Sequence, residues 1–138
     1  MKVNPPDSNC KTVEGMKKLP LNLVPPIGML WEAAVFRYSQ DRGRAPLNWR
    51  TDPISASIYY SAIQRHLLAW QDGQDDDEDS LLHHIAHVKA NCSIILDAIA
   101  CGTFNDDRPH SGQSPSFLAA QERFEHEKLP PEPEDCWP

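Results

Sequence analysis

No CxxC pair occurs in this 138-residue chain, although it has four cysteines, Cys10, Cys92, Cys101 and Cys136. Spaced that way they suit neither a zinc ribbon nor a disulfide framework, and they read as free thiols of a reducing compartment. No apolar run approaches the roughly 20 residues that span a bilayer. The opening stretch MKVNPPDSNC lacks the apolar core of a signal peptide. Positive charge is also scarce: 13 Lys and Arg stand against 20 Asp and Glu, for a formal charge of -7. Such a surface repels phosphate backbones and excludes a general DNA- or RNA-coating role. A small anionic substrate is still allowed, because a bound divalent cation inverts the local field. There is no internal repeat and no alternating run longer than a few residues. The expectation is a soluble, cytoplasmic protein with no nucleic-acid and no membrane partner.

Helical periodicity is what the chain does have. Residues 1–17 are polar, with Pro5 and Pro6 together, and read as a flexible arm; KLPLNLVPPIG follows and should be extended. A first helix is expected from Pro26–Gly28 through MLWEAAVFRYSQ, with Leu30, Ala33, Ala34 and Phe36 or Arg37 on its inner side. The loop DRGRAPLNWRTD then ends in a Trp49 that reads as exposed. A second helix is expected after Asp52 or Ser55 and runs to about Gln71, on Ile58, Ala62, His66 or Leu67, and Ala69 or Trp70, with Trp70 in the core. A third runs from Leu81 to about Ala100, capped by Asp79 or Ser80 and stopped by Gly102, with Ile85, Val88, Cys92, Ile95, Leu96 and Ile99 as its apolar face. Residues 101–128 read as a linker and a short helix over SFLAAQERFEHEK, and residues 129–138 as a disordered acidic tail. The class is all-α: a helical bundle over about residues 18–100. Three helices make a thin bundle, so the fourth helix or a partner subunit must complete it.

One polar stretch stands out. SLLHHIAHVKAN, residues 80–91, holds three histidines and follows DGQDDDED, with its carboxylates between Asp72 and Asp79. Two helices joined by a short loop pack antiparallel. His66, late in the second helix, then lies level with His84, early in the third, and Asp75, Asp77 and Asp79 lie in the loop between them. Taken singly, each histidine is more often a hydrogen-bonded boundary residue than a ligand. Together, so many like charges cost stability unless a cation neutralises them. Oxygen ligands suit Mg2+ or Mn2+, and a mixed nitrogen and oxygen set leans to Mn2+. An EF-hand does not fit DDDEDS, and no nucleophile elbow is present. Lys18 and Arg65 supply charge for a phosphate chain. Trp31 and Trp49 offer flat faces for a base.

The segments KLPLNLVPP, NWR, AIQRHLLAWQDGQDDDED and LLHHIAHVKAN resemble a mostly phage-encoded family of small dATP/dGTP diphosphohydrolases, the MazZ branch of the MazG-like nucleotide pyrophosphohydrolases. The matching positions are Lys18, Asn22, Pro25, Asn48, Trp49, Arg65, His66, Gly73, Asp75, Asp77, Asp79, Ser80, His84, His87 and Asn91. Asn22 stands where the family has Asp, Gln74 and Asp79 where it has Glu, and Leu81 where glycine is common. The resemblance implies a MazG-like catalytic domain over residues 18–100, assembled as a homodimer or homotetramer. It implies metal-dependent conversion of a purine dNTP, dGTP or dATP, to dNMP and pyrophosphate, and a place in a phage pathway that shifts the purine pool, for instance toward 2-aminoadenine DNA. MazG-type enzymes hold magnesium on Glu-x-x-Glu and Glu-x-x-Asp of successive helices. His84-x-x-His87 stands at the level of the second motif, and Glu32 is a candidate survivor of the first. The expected metal ligands are Asp75, Asp77, Asp79, His87 and Glu32. His66 and His84 are expected as ligand or general base, with Asp79 beside them. Lys18, Arg65, Trp31, Trp49 and Asn91 are expected to bind substrate. The rivals are an HD-type triphosphohydrolase, which usually needs an adjacent His-Asp pair that this chain lacks, and a non-enzymatic helical adaptor.

Overall fold

The computed structural model describes residues 10–126. The expected tail and the first nine residues of the expected arm lie outside them. The chain divides into two compact units, the first ending at Asp107 and the second beginning at Arg108. The protein is all-α. The first unit holds α1 (Cys10–Met16), α2 (Pro26–Asp41), α3 (Ala56–Gln71) and α4 (His84–Cys101), and the second holds α5 (Ser114–His126). α1 falls within the expected arm and buries no side chain. Among the described residues, no helix is long and apolar enough to cross a membrane.

Each long helix has a local reason to start and stop. Pro26 occupies the first turn of α2, where its missing N–H costs nothing. The first turn of α3 is capped from far along the chain: Asp107 accepts from the Ser57 amide at 2.8 Å and from the Ser57 hydroxyl. Gly73, at φ 94°, ends α3 in the left-handed region that a side chain disfavours. Gly102, at φ 75°, ends α4, and the Thr103 amide reaches back to the Ala98 carbonyl at 2.9 Å. Just before α3 and just after α4, β1 (Ile54–Ser55) and β2 (Phe104–Asn105) form a two-residue parallel pair, with Ile54 opposite Phe104. Periodicity cannot reveal strands that short.

α4 packs against both α3 and α2. Two apolar clusters lie along it. Val35, Ala86 and Ala90 form one, and Trp49, Ile54 and Ala98 the other, with Phe36 packed against both. Several expectations need correction. α4 begins at His84, because Leu81 at φ 58° cannot be helical; His83, not Asp79 or Ser80, is its N-cap, its Nδ1 accepting from the Ile85 amide at 3.1 Å. The inner side of α4 carries His84, Ala86, His87, Ala90 and Ala98, while Ile85, Cys92, Leu96 and Ile99 face outward. Small and polar residues thus line the tight helix contact; of the expected stripe, Val88 and Ile95 are half-buried, Ile95 against the second cluster, and the rest is left to solvent in the single chain. α2 is rotated likewise: Val35 is buried, whereas Leu30 and Ala33 are exposed. Trp49 is buried and Trp70 exposed, the reverse of their expected places. Cys10, Cys92 and Cys101 are free thiols.

Candidate metal and substrate site

The loop between α3 and α4 curls into a tight turn. The Asp77 amide donates to the Leu82 carbonyl at 2.9 Å, and the Leu81 amide to the Asp77 carbonyl at 2.8 Å. The turn rotates the neighbouring acids apart. Asp77 points inward, where its Oδ2 accepts from the Ser80 amide and hydroxyl, each at 2.9 Å. Asp75 and Asp79 are exposed. The Asp75 backbone carbonyl instead accepts from the His84 amide at 2.9 Å, which seats the start of α4.

Three histidines meet this carboxylate. His66 Nδ1 lies 2.9 Å from His84 Nδ1. The His87 ring stacks on His66 with centroids 4.5 Å apart and planes within 3°. His84 is 3 % exposed and His87 8 %, so each needs partners. The Gln74 amide nitrogen donates to Glu78 at 3.2 Å, which leaves its Oε1 to accept from His84 Nε2 at 3.0 Å. A neutral His84 therefore carries its proton on Nε2 and accepts at Nδ1 from His66. Ser80 Oγ gives its one proton to Asp77, so it accepts from His87 Nε2 at 2.7 Å. The lone pair of a neutral His87 is then on Nδ1.

Electrostatics follow from this packing. Burial lowers the basicity of His66, and His87 and His84 add to the fall while Asp77 opposes it. Burial also lowers His87, against the pull of Asp77. For Asp77, burial acts upward, but the two Ser80 hydrogen bonds and the nearby His87 and His66 outweigh it and hold the acid below its ordinary value.

One ligand atom each from His66, Asp77 and His84 lies within 4.8 Å of the others, so these residues could hold a metal ion. The donor chemistry fits: two imidazoles and a carboxylate are the mixed set of a borderline first-row ion. The bonds from His84 Nε2 to Gln74 and from Ser80 to Asp77 are of the kind that orients ligands toward a metal.

A cavity of about 370 Å³ adjoins the cluster, within the usual range for small-molecule sites. His66 and His87 line it together with Phe36, Trp49, Tyr59, Asn48, Asn91 and Arg44. Asn91 Nδ2 donates to the His87 carbonyl at 2.9 Å, which leaves Oδ1 to accept from a ligand. Other expected residues lie apart. Glu32 pairs with Lys89 of α4 and is outside the metal group. Trp31 is on the surface, edge-on to His83 at 6.0 Å. Lys18 is exposed beside Thr12, Leu19 and Asn22, and Arg65 is exposed on α3. The sequence assigned no part in the site to Gln74, Ser80 or Arg44, Ser80 being expected only as a helix cap and a family position. The first two act through residues ten and seven positions away in the chain, and no local pattern marks Arg44.

A sequence profile described as dATP/dGTP diphosphohydrolase, N-terminal, matches residues 8–108. The chain belongs to this family. It is an enzyme of the nucleotide-hydrolysing kind, and the matched stretch carries every residue of the cluster and the cavity. No curated protein and no solved structure matches it.

Proposed function

We propose that the protein is a metal-dependent dNTP diphosphohydrolase that cleaves a purine dNTP, dGTP or dATP, between the α and β phosphates to give dNMP and pyrophosphate. The observation that carries this reading is a His/Asp cluster at the edge of an aromatic-walled cavity, in a chain of this family. His66, Asp77 and His84 would hold the ion, Mn2+ in preference to Mg2+ because two of the three donors are imidazoles. When bound, the ion offsets phosphate charge and makes water a better nucleophile near neutral pH. His87, kept neutral at pH 7 by its burial, accepts a proton at Nδ1. Trp49 and Tyr59 flank the purine, Asn91 Oδ1 accepts from a donor on base or sugar, and Arg44 meets phosphate oxygens. Positioning and charge neutralisation are most of what phosphoryl transfer asks of a protein.

Anion-exchange analysis of dGTP turnover with Mn2+ tests this. Pyrophosphate with dGMP is the expected outcome. Triphosphate with deoxyguanosine would favour an HD-type reaction, and no turnover would favour an adaptor. Competition between dGTP and dATP reads the base preference.

We further propose that the chain works as a homodimer or homotetramer. Leu68 of α3 and Leu96 of α4 are 64 % and 69 % exposed, and Ile58, Ile85 and Ile99 are exposed near them in sequence on the same helices. Self-association is the simplest cover for apolar stripes on successive helices. Light scattering at micromolar concentration should give at least twice the chain mass, and a monomer would remove the proposal.

A further inference from the structure

One wall of the cavity is held by an ionic clamp. Trp49 forms that wall, and its ring leans on Phe36 with centroids 5.6 Å apart. The indole Nε1 donates to Asp97 Oδ2 at 2.6 Å. Arg50 grips the same carboxylate with both arms, Nε to Oδ2 at 2.8 Å and Nη2 to Oδ1 at 2.9 Å. The Asp97 carboxylate is held down to about 2 by Arg50 and Trp49 together. The turn that delivers the indole is itself strained: Leu47, two residues earlier, sits at φ 54° and ψ 30°. A leucine stays in that region only when its surroundings over-determine it. An ion pair this close to solvent contributes little to stability, so the clamp acts on the orientation of the ring.

We propose that Asp97, braced by Arg50, is a positioning residue for substrate, fixing the Trp49 indole as the wall on which the purine stacks. This rests on reading the cavity as the nucleoside site. Asp97 touches no reacting atom and acts through Trp49.

The test uses the full chain with Mn2+ and compares wild type, Asp97→Asn, Trp49→Phe and the double variant. Trp49→Phe keeps an aromatic face but loses the indole N–H and the second ring. Steady-state turnover of dGTP is measured, with inhibition constants for dGMP and for pyrophosphate. Asp97→Asn should raise KM for dGTP and the dGMP constant roughly tenfold, with kcat within about threefold. The pyrophosphate constant, which reads only the phosphate end, should not move. Trp49→Phe should have at least as large an effect, and Asp97→Asn should add nothing to it in the double variant, because Asp97 acts only through the indole. Unchanged dGMP inhibition in Asp97→Asn would overturn the inference, as would equal loss of dGMP and pyrophosphate binding, or effects that add. A wild type that neither turns over dGTP nor binds dGMP would overturn the nucleoside reading itself, and this inference with it.

Discussion

At its N-terminal end α4 buries His84 and His87, whereas at its C-terminal end it buries Ala98 beneath Trp49 and Ile54. The first end fills its interior with rings that hydrogen-bond to one another and to the loop, and it brings one donor atom each of His66, Asp77 and His84 within 4.8 Å of the others. The second end fills its interior with carbon, and its one acid, Asp97, is fully engaged by Arg50 and the indole. Packed carbon gives rigidity and asks for no partner. A buried polar network gives less stability for its volume, because each group loses water before it gains a bond, but it is the end that can accept an ion. One helix thus carries the reactive cluster and the mount for the cavity wall.

That contrast can be broken at either end. The largest effect should come from Asp77→Ala combined with His84→Ala. Metal-dependent pyrophosphate release should fall by at least on the order of a hundredfold, while circular dichroism shows helicity retained. At the other end, Ala98→Leu forces extra carbon into a site with 0 % exposure. It should cost about 1–3 kcal/mol in urea unfolding yet leave the metal-induced rise in Tm in place. Ser80→Ala removes the link between Asp77 and His87. The expected cost is about 1 kcal/mol of stability and roughly tenfold in Mn2+ affinity by titration.

Acid should separate the two ends by the smallest margin. His66 and His87 are less basic folded than unfolded. Their contribution is complete above the unfolded value of about 6.5 and is lost as pH falls through the lower folded values, because the unfolded chain binds the protons first. Asp97 contributes above its unfolded value and loses that contribution only as pH falls toward about 2. The metal-free protein should therefore lose Tm between neutral and mildly acidic pH, and His87→Gln should flatten that slope while Asp97→Asn leaves it intact.

The helices were legible in the sequence because Pro26, Gly73 and Gly102 mark their ends and their patterns run long enough to show. Which face turns inward was not. The stripe of Ile85, Cys92, Leu96 and Ile99 is the most apolar on α4, but close approach to α2 and α3 needs Ala86, Ala90 and Ala98 instead. The meeting of His66 with His84 followed from antiparallel packing across a short loop. The loop carboxylates did not follow, since alternate residues share a side only if the chain is extended, and here Ser80 curls it around Asp77. The Asp97 clamp spans 47 and 48 positions, beyond the reach of any local pattern.

Pulsed electron paramagnetic resonance of the Mn2+-loaded protein tests the central claim most directly, because nitrogen couplings to the ion count its imidazole ligands. Two coupled imidazoles are predicted in the wild type and one in His84→Ala. An Mn2+ signal with no nitrogen coupling, or one unchanged by His84→Ala, would place the ion elsewhere and contradict the account.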